Sequence, residues 1–60
     1  MIELKKLKKT DIKRKVVYTA YEGAVPEEGL ITSFTDKRIF VDFQNVGRGQ
    51  ATPPNKLDFI

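Results

Sequence analysis

Seven basic side chains fall within the first fifteen residues: Lys5, Lys6, Lys8, Lys9, Lys13, Arg14 and Lys15. Only Glu3 and Asp11 offset them, so this segment carries +5, whereas residues 16–60 carry −2. Cations clustered in this way gain free energy on a phosphate backbone by releasing condensed counterions, and they also suit an acidic protein surface. Holding bases would need stacking side chains nearby, and Tyr18 and Phe40 are the aromatic candidates. The same lysines also read as a solvated basic arm, residues 1–9, whose Ile2, Leu4 and Leu7 close one end of a core.

The chemistry available elsewhere is thin. Histidine and cysteine are absent, which removes the usual neutral-pH general base, the thiol nucleophile, ordinary zinc ligation and disulfides. Asp36, Asp42 and Asp58 are scattered, one per turn or strand end, with the spacing of surface charges. No catalytic residue, cofactor site or metal site is assigned, and the expected class is not an enzyme. Gly47-Arg48-Gly49 is too little for a phosphate-cradling loop, and a tight turn carrying Arg48 is the simpler reading. Tyr21, at the start of a loop, either contacts a peptide or base or covers the core with its hydroxyl in water.

These side chains must be positioned by the stretch from Gly29 to Phe43. Two runs of β-branched and aromatic residues flank the polar pair Asp36-Lys37, the local signature of a β-hairpin. A three-residue turn places Ile31, Ile39, Val41 and Phe43 on one face, with Phe34 and Phe40 opposite each other on the other. A two-residue turn instead groups Leu30, Phe34, Ile39, Val41 and Phe43. Because strand side chains alternate with period 2, such a slip moves every side chain of one strand across the sheet. Ile39, Val41 and Phe43 are core in both registers, and Phe40 faces away in both.

The rest of the chain packs around this hairpin. Ile2 and Leu4 alternate as in a strand, whereas Leu4 and Leu7 sit one helical turn apart, so residues 1–9 are strand, helix or arm. Thr10-Asp11 favours a turn or cap, and Ile12 plugs the end of the core. Lys15 to Ala20 reads as the first strand. Tyr21 to Glu28 reads as a loop broken by Gly23 and Pro26, ending in a tight turn, Pro26-Glu27-Glu28-Gly29. Gln44 to Gln50 is a second loop, Gln50-Ala51-Thr52 a short strand, and Pro53 to Lys56 a 3₁₀ turn. Leu57 to Ile60 forms a last strand with Leu57 and Phe59 inward.

Sixty residues allow one domain, 1–60, that buries only about 60% of the surface its unfolded chain exposes. Apolar residues make up 40% and charged residues 32%, a globular rather than a disordered balance. No apolar run approaches the roughly 18 residues of a membrane span and no signal-peptide core follows Met1. A cytoplasmic location is expected, with no membrane partner.

This order of elements is the layout of an SH3-like barrel: all-β, about five short antiparallel strands, with a 3₁₀ turn before the last. The resemblance extends to motifs: Asp11-Ile12, Arg14 to Thr19, Pro26-Glu27-Glu28-Gly29, Phe34-Thr35-Asp36-Lys37, Ile39-Phe40-Val41, Ala51-Thr52-Pro53, Leu57 and Phe59-Ile60. Together they resemble a group of small uncharacterised proteins encoded by bacteriophages and prophages. The resemblance implies a phage source, host cytoplasm and an SH3-like barrel, and it implies no activity. One departure matters. Those proteins tend to read Asp-Ile-Gly-Arg, and Lys13 fills the glycine slot here, which argues against a tight backbone at that point.

The leading expectation is a non-enzymatic module for a protein partner, host-encoded if the source is a phage, contacted through Phe40, Tyr21, Arg48 and Phe34. Aromatic and Arg side chains are what interface hot spots favour, and SH3-like barrels hold extended or proline-rich segments on aromatic-lined grooves. The alternatives are nucleic-acid binding through Lys5, Lys6, Lys8, Lys9, Lys13, Arg14 and Lys15, and self-association into a homo-oligomer through an outward Phe34–Phe40 pair.

Overall fold

Runs rich in β-branched and aromatic residues build most of the sheet. The computed structural model describes residues 1–43 and 47–60. Its strands are β1 (Lys15–Tyr18), β2 (Glu27–Phe34), β3 (Ile39–Asp42), β4 (Gln50–Thr52) and β5 (Leu57–Phe59). Neighbouring strands are antiparallel, in the order β4-β3-β2-β1-β5. Three 3₁₀ turns, Leu4–Lys6, Lys9–Asp11 and Pro54–Lys56, complete the structure, with no α-helix among the described residues. The all-β expectation therefore holds, down to the 3₁₀ turn before the last strand. β4 and β5 are the two sheet edges, linked through Pro54–Lys56, so the hydrogen-bonded ladder is open rather than a closed ring. Among the described residues no helix is long and apolar enough to cross a membrane.

The hairpin starts in the register of the two-residue turn and then, past a bulge, leaves both expected registers. Thr35 N–H donates to the Arg38 carbonyl at 2.8 Å, closing a two-residue turn at Asp36-Lys37, and Phe34 faces Ile39. Thr35 Oγ1 accepts from the N–H groups of Lys37 (3.2 Å) and Arg38 (3.1 Å), which holds the turn. Beyond Ser33, which faces Phe40, the register shifts by one and Ile31 faces Val41. Thr32 is thus the extra residue of a β-bulge, and its Oγ1 donates to the Phe40 carbonyl at 3.2 Å. The phase change lets both Phe34, before the bulge, and Ile31, after it, face the core. A uniform ladder would have sent one of them to solvent.

Val16, Ile31, Ile39, Val41 and Leu57 are fully buried and Ile2 nearly so, with Leu4, Leu7, Ile12, Tyr18, Phe34 and Phe43 packed against them. Each such fully buried side chain contributes about 1.5–3 kcal/mol. Residues 1–9 are therefore not a detached arm. Ile2 N–H donates to the Pro54 carbonyl at 3.0 Å. The spacing of Leu4 and Leu7 suits a 3₁₀ turn, in which residues three apart eclipse, so both side chains reach the core together.

Three local expectations are corrected. Glu27, Glu28 and Gly29 belong to β2, because they pair with Tyr18, Val17 and Val16 and are not a tight turn. Phe59 shares a face with Leu57 but lies at the margin of edge strand β5, where the core runs out, and stays 36% exposed. Lys13 does not prevent a tight backbone: it adopts it, with φ +76°. Arg14 N–H donates to the Asp11 carbonyl at 3.1 Å, and Ile12 has φ −63°, ψ 136°, so Asp11 to Arg14 is a type II turn with Lys13 at its left-handed position. Lys13 N–H to the Ile31 carbonyl (2.7 Å) and Ile31 N–H to the Arg14 carbonyl (3.1 Å) fasten that turn to β2. Of the expected second loop, Gln44, Asn45 and Val46 lie outside the described residues.

Candidate functional site

The basic segment is held by its own apolar residues. With Ile2, Leu4, Leu7 and Ile12 turned toward the core, Lys5, Lys6, Lys8, Lys9, Lys13, Arg14 and Lys15 are all exposed. Lys6 Nζ lies 3.4 Å from Glu3 Oε2 on the surface, an arrangement worth little in water.

Asp11 is the hub of this surface. Its Oδ2 accepts the Lys8 N–H at 2.9 Å and its Oδ1 accepts from Arg14 Nη1 at 3.1 Å. The Lys8 N–H, followed by the Arg14 guanidinium, holds the Asp11 carboxyl below the usual carboxylate range. Oriented in this way, the Arg14 guanidinium lies 3.9 Å from the centroid of the Phe59 ring, a cation–π contact. Phe59 faces Val16 across the β1–β5 ladder, and Ile60 N–H donates to the Lys15 carbonyl at 3.2 Å. An exposed aromatic ring therefore sits against one of the basic side chains, Arg14. It was missed because alternation with Leu57 pointed it inward; the Val16 pairing and the strand's edge position are tertiary facts.

Opposite charge collects at the other end of β1. Tyr18 pairs with Glu27 and Val17 with Glu28, three and two residues from Lys15, so the acidic cluster begins about 7 Å along the strand from the basic one.

The other expected contact residues do not converge. Phe34 packs against the core, so no outward Phe34–Phe40 pair forms. Phe40 does face away from the core, flanked by Ser33 and Ala51, but is half-buried beneath the backbone of Gly49. A Cβ on Gly49 would come within 2.8 Å of Phe40 Cβ and collide with Thr32 Oγ1. Arg48 is exposed beside this contact. Tyr21 is 70% exposed but belongs to the loop entering β2 at Glu27, six residues or about 20 Å of strand from Ser33. Tyr18 packs against the core, and its ring meets Phe43 edge-on with centroids 5.9 Å apart. A shallow cleft of about 270 Å³ lined by Lys15, Glu28, Gly29, Leu30, Asp42 and Phe43 mixes both signs of charge. Its Asp42 carboxylate is buried and accepts the Gly47 N–H at 2.9 Å.

Comparison of the chain with protein-family models, with curated proteins and with solved structures finds no match.

Proposed function

We propose that the domain is a non-enzymatic binding module that holds the phosphate backbone of a nucleic acid on the surface of residues 1–15. The observation that carries this reading is the division of that segment: its apolar residues belong to the core while all seven cations point to solvent. A docked segment presents its charges without the ordering cost of a free arm, and counterion release then favours a polyanion. The resemblance to phage- and prophage-encoded SH3-like barrels supports a small module working in a host cytoplasm. It adds nothing on the partner, which rests on charge and placement.

Fluorescence anisotropy with labelled single-stranded and duplex DNA and RNA tests the proposal. Binding is expected at about 50 mM salt, where the electrostatic contribution is large, and the quadruple variant Lys8→Gln/Lys9→Gln/Lys13→Gln/Lys15→Gln should weaken it at least tenfold. Absence of binding at that salt, or binding indifferent to the four substitutions, overturns the proposal.

A second reading, contact with a protein, is favoured by one observation. Tyr21 and Val25, on the loop between β1 and β2, are 70% and 85% exposed. Capture of a partner from a lysate by the parent chain, lost in Tyr21→Ser/Val25→Ser, would support it; retention by the variant would remove it.

A further inference from the structure

We infer that Arg14 and Phe59 form a stacking platform for an unpaired base, so that the nucleic acid held by the basic surface is single-stranded. This rests on the nucleic-acid reading above and narrows its substrate class. The guanidinium lies 3.9 Å from the ring centroid, while 49% of the Arg14 side chain and 36% of Phe59 remain exposed. Both groups have a π-face suited to a nucleobase, since unpaired bases stack on aromatic rings and on Arg guanidinium planes alike.

The pair is also preorganised. Asp11 Oδ1 holds one edge of the guanidinium, and Asp11 is itself fixed by the Lys8 N–H, so Arg14 does not sweep solvent as a free side chain would. Lys13 precedes it in the chain and is exposed, where it can meet a phosphate beside a stacked nucleotide. Neither Arg14 nor Phe59 is needed to fill the core, which is complete without them. In a duplex the base faces are covered by their neighbours, so the platform adds affinity only for an unpaired strand.

The test compares three probes on the intact chain: a labelled twelve-nucleotide oligothymidylate, an abasic sugar–phosphate strand of the same length and charge, and a twelve-base-pair duplex. The base-bearing strand should bind at least about fivefold more tightly than the abasic strand, the lower end of what one stacked base contributes. Phe59→Leu, which keeps an apolar side chain on β5, should abolish that preference and leave abasic binding unchanged. If Phe59→Leu does not fold by circular dichroism, the comparison of probes on the parent chain decides. Equal binding of the base-bearing and abasic strands overturns the platform while leaving the electrostatic surface standing. Failure of all three probes to bind overturns both.

Discussion

The Arg14 guanidinium lies 3.9 Å from the centroid of Phe59, and the same guanidinium donates to Asp11 Oδ1 at 3.1 Å. One side chain thus ties the type II turn before β1 to the outer edge strand β5, and lies against its exposed ring. The acid side of the stability curve should report this arrangement. Asp11 is held below its ordinary range, near 3.9, by the Lys8 N–H and then by Arg14. A carboxylate with a lowered folded-state value stabilises the fold fully above the unfolded value, and that contribution disappears as pH falls through the folded value. Urea melts between about pH 2 and pH 5 should therefore show a shallower acid loss in Asp11→Asn than in the parent; identical slopes would remove Asp11 from the account.

Lys13 occupies a left-handed backbone position, φ +76°. For an L-residue this conformation costs roughly 1–2 kcal/mol, whereas glycine adopts it freely but loses about 0.4–1 kcal/mol more through its looser unfolded chain. Lys13→Gly should therefore raise stability by about 0.5–1 kcal/mol, or several degrees in Tm for a domain of this size. A lower Tm would mean that the Asp11 to Arg14 turn is not the type II turn described.

Gly29 shows the opposite constraint, since its φ is not in the left-handed region and space alone forbids a side chain. A Cβ there would stand 2.5 Å from Val41 Cγ1 and 2.9 Å from the Asp42 carbonyl oxygen. Val41 is fully buried and the carbonyl is backbone, so neither can yield cheaply. Gly29→Ala should cost about 1–3 kcal/mol by overpacking, read as a lower urea midpoint with an unchanged slope. A neutral result would contradict the close approach of β2 to β3.

Much of the fold could be read from residue types, because period-2 alternation and turn residues act locally. The hairpin, the short strand at Gln50–Thr52, the 3₁₀ turn before Leu57 and the inward Ile39 and Val41 all follow from such patterns. What could not be read depended on contacts between distant residues. The bulge at Thr32 arises because Phe34 and Ile31 both need the core, a demand that neither uniform register meets. Phe59 alternates with Leu57 as an inward residue should, and only the edge position of β5 leaves its ring exposed. The strand pairing of Glu27 to Gly29 was hidden by a composition, Pro-Glu-Glu-Gly, that locally favours a turn. The cations were visible from the start; whether they formed a loose arm or a fixed surface depended on Ile2 docking beside Pro54.

The most direct test of the nucleic-acid surface is the salt dependence of binding to a labelled single-stranded oligonucleotide. With about four to six phosphates neutralised, the slope of log K against log salt should be roughly −3 to −4, a loss of about 50- to 300-fold between 50 and 200 mM. A slope near zero, or no binding at 50 mM, would contradict the account.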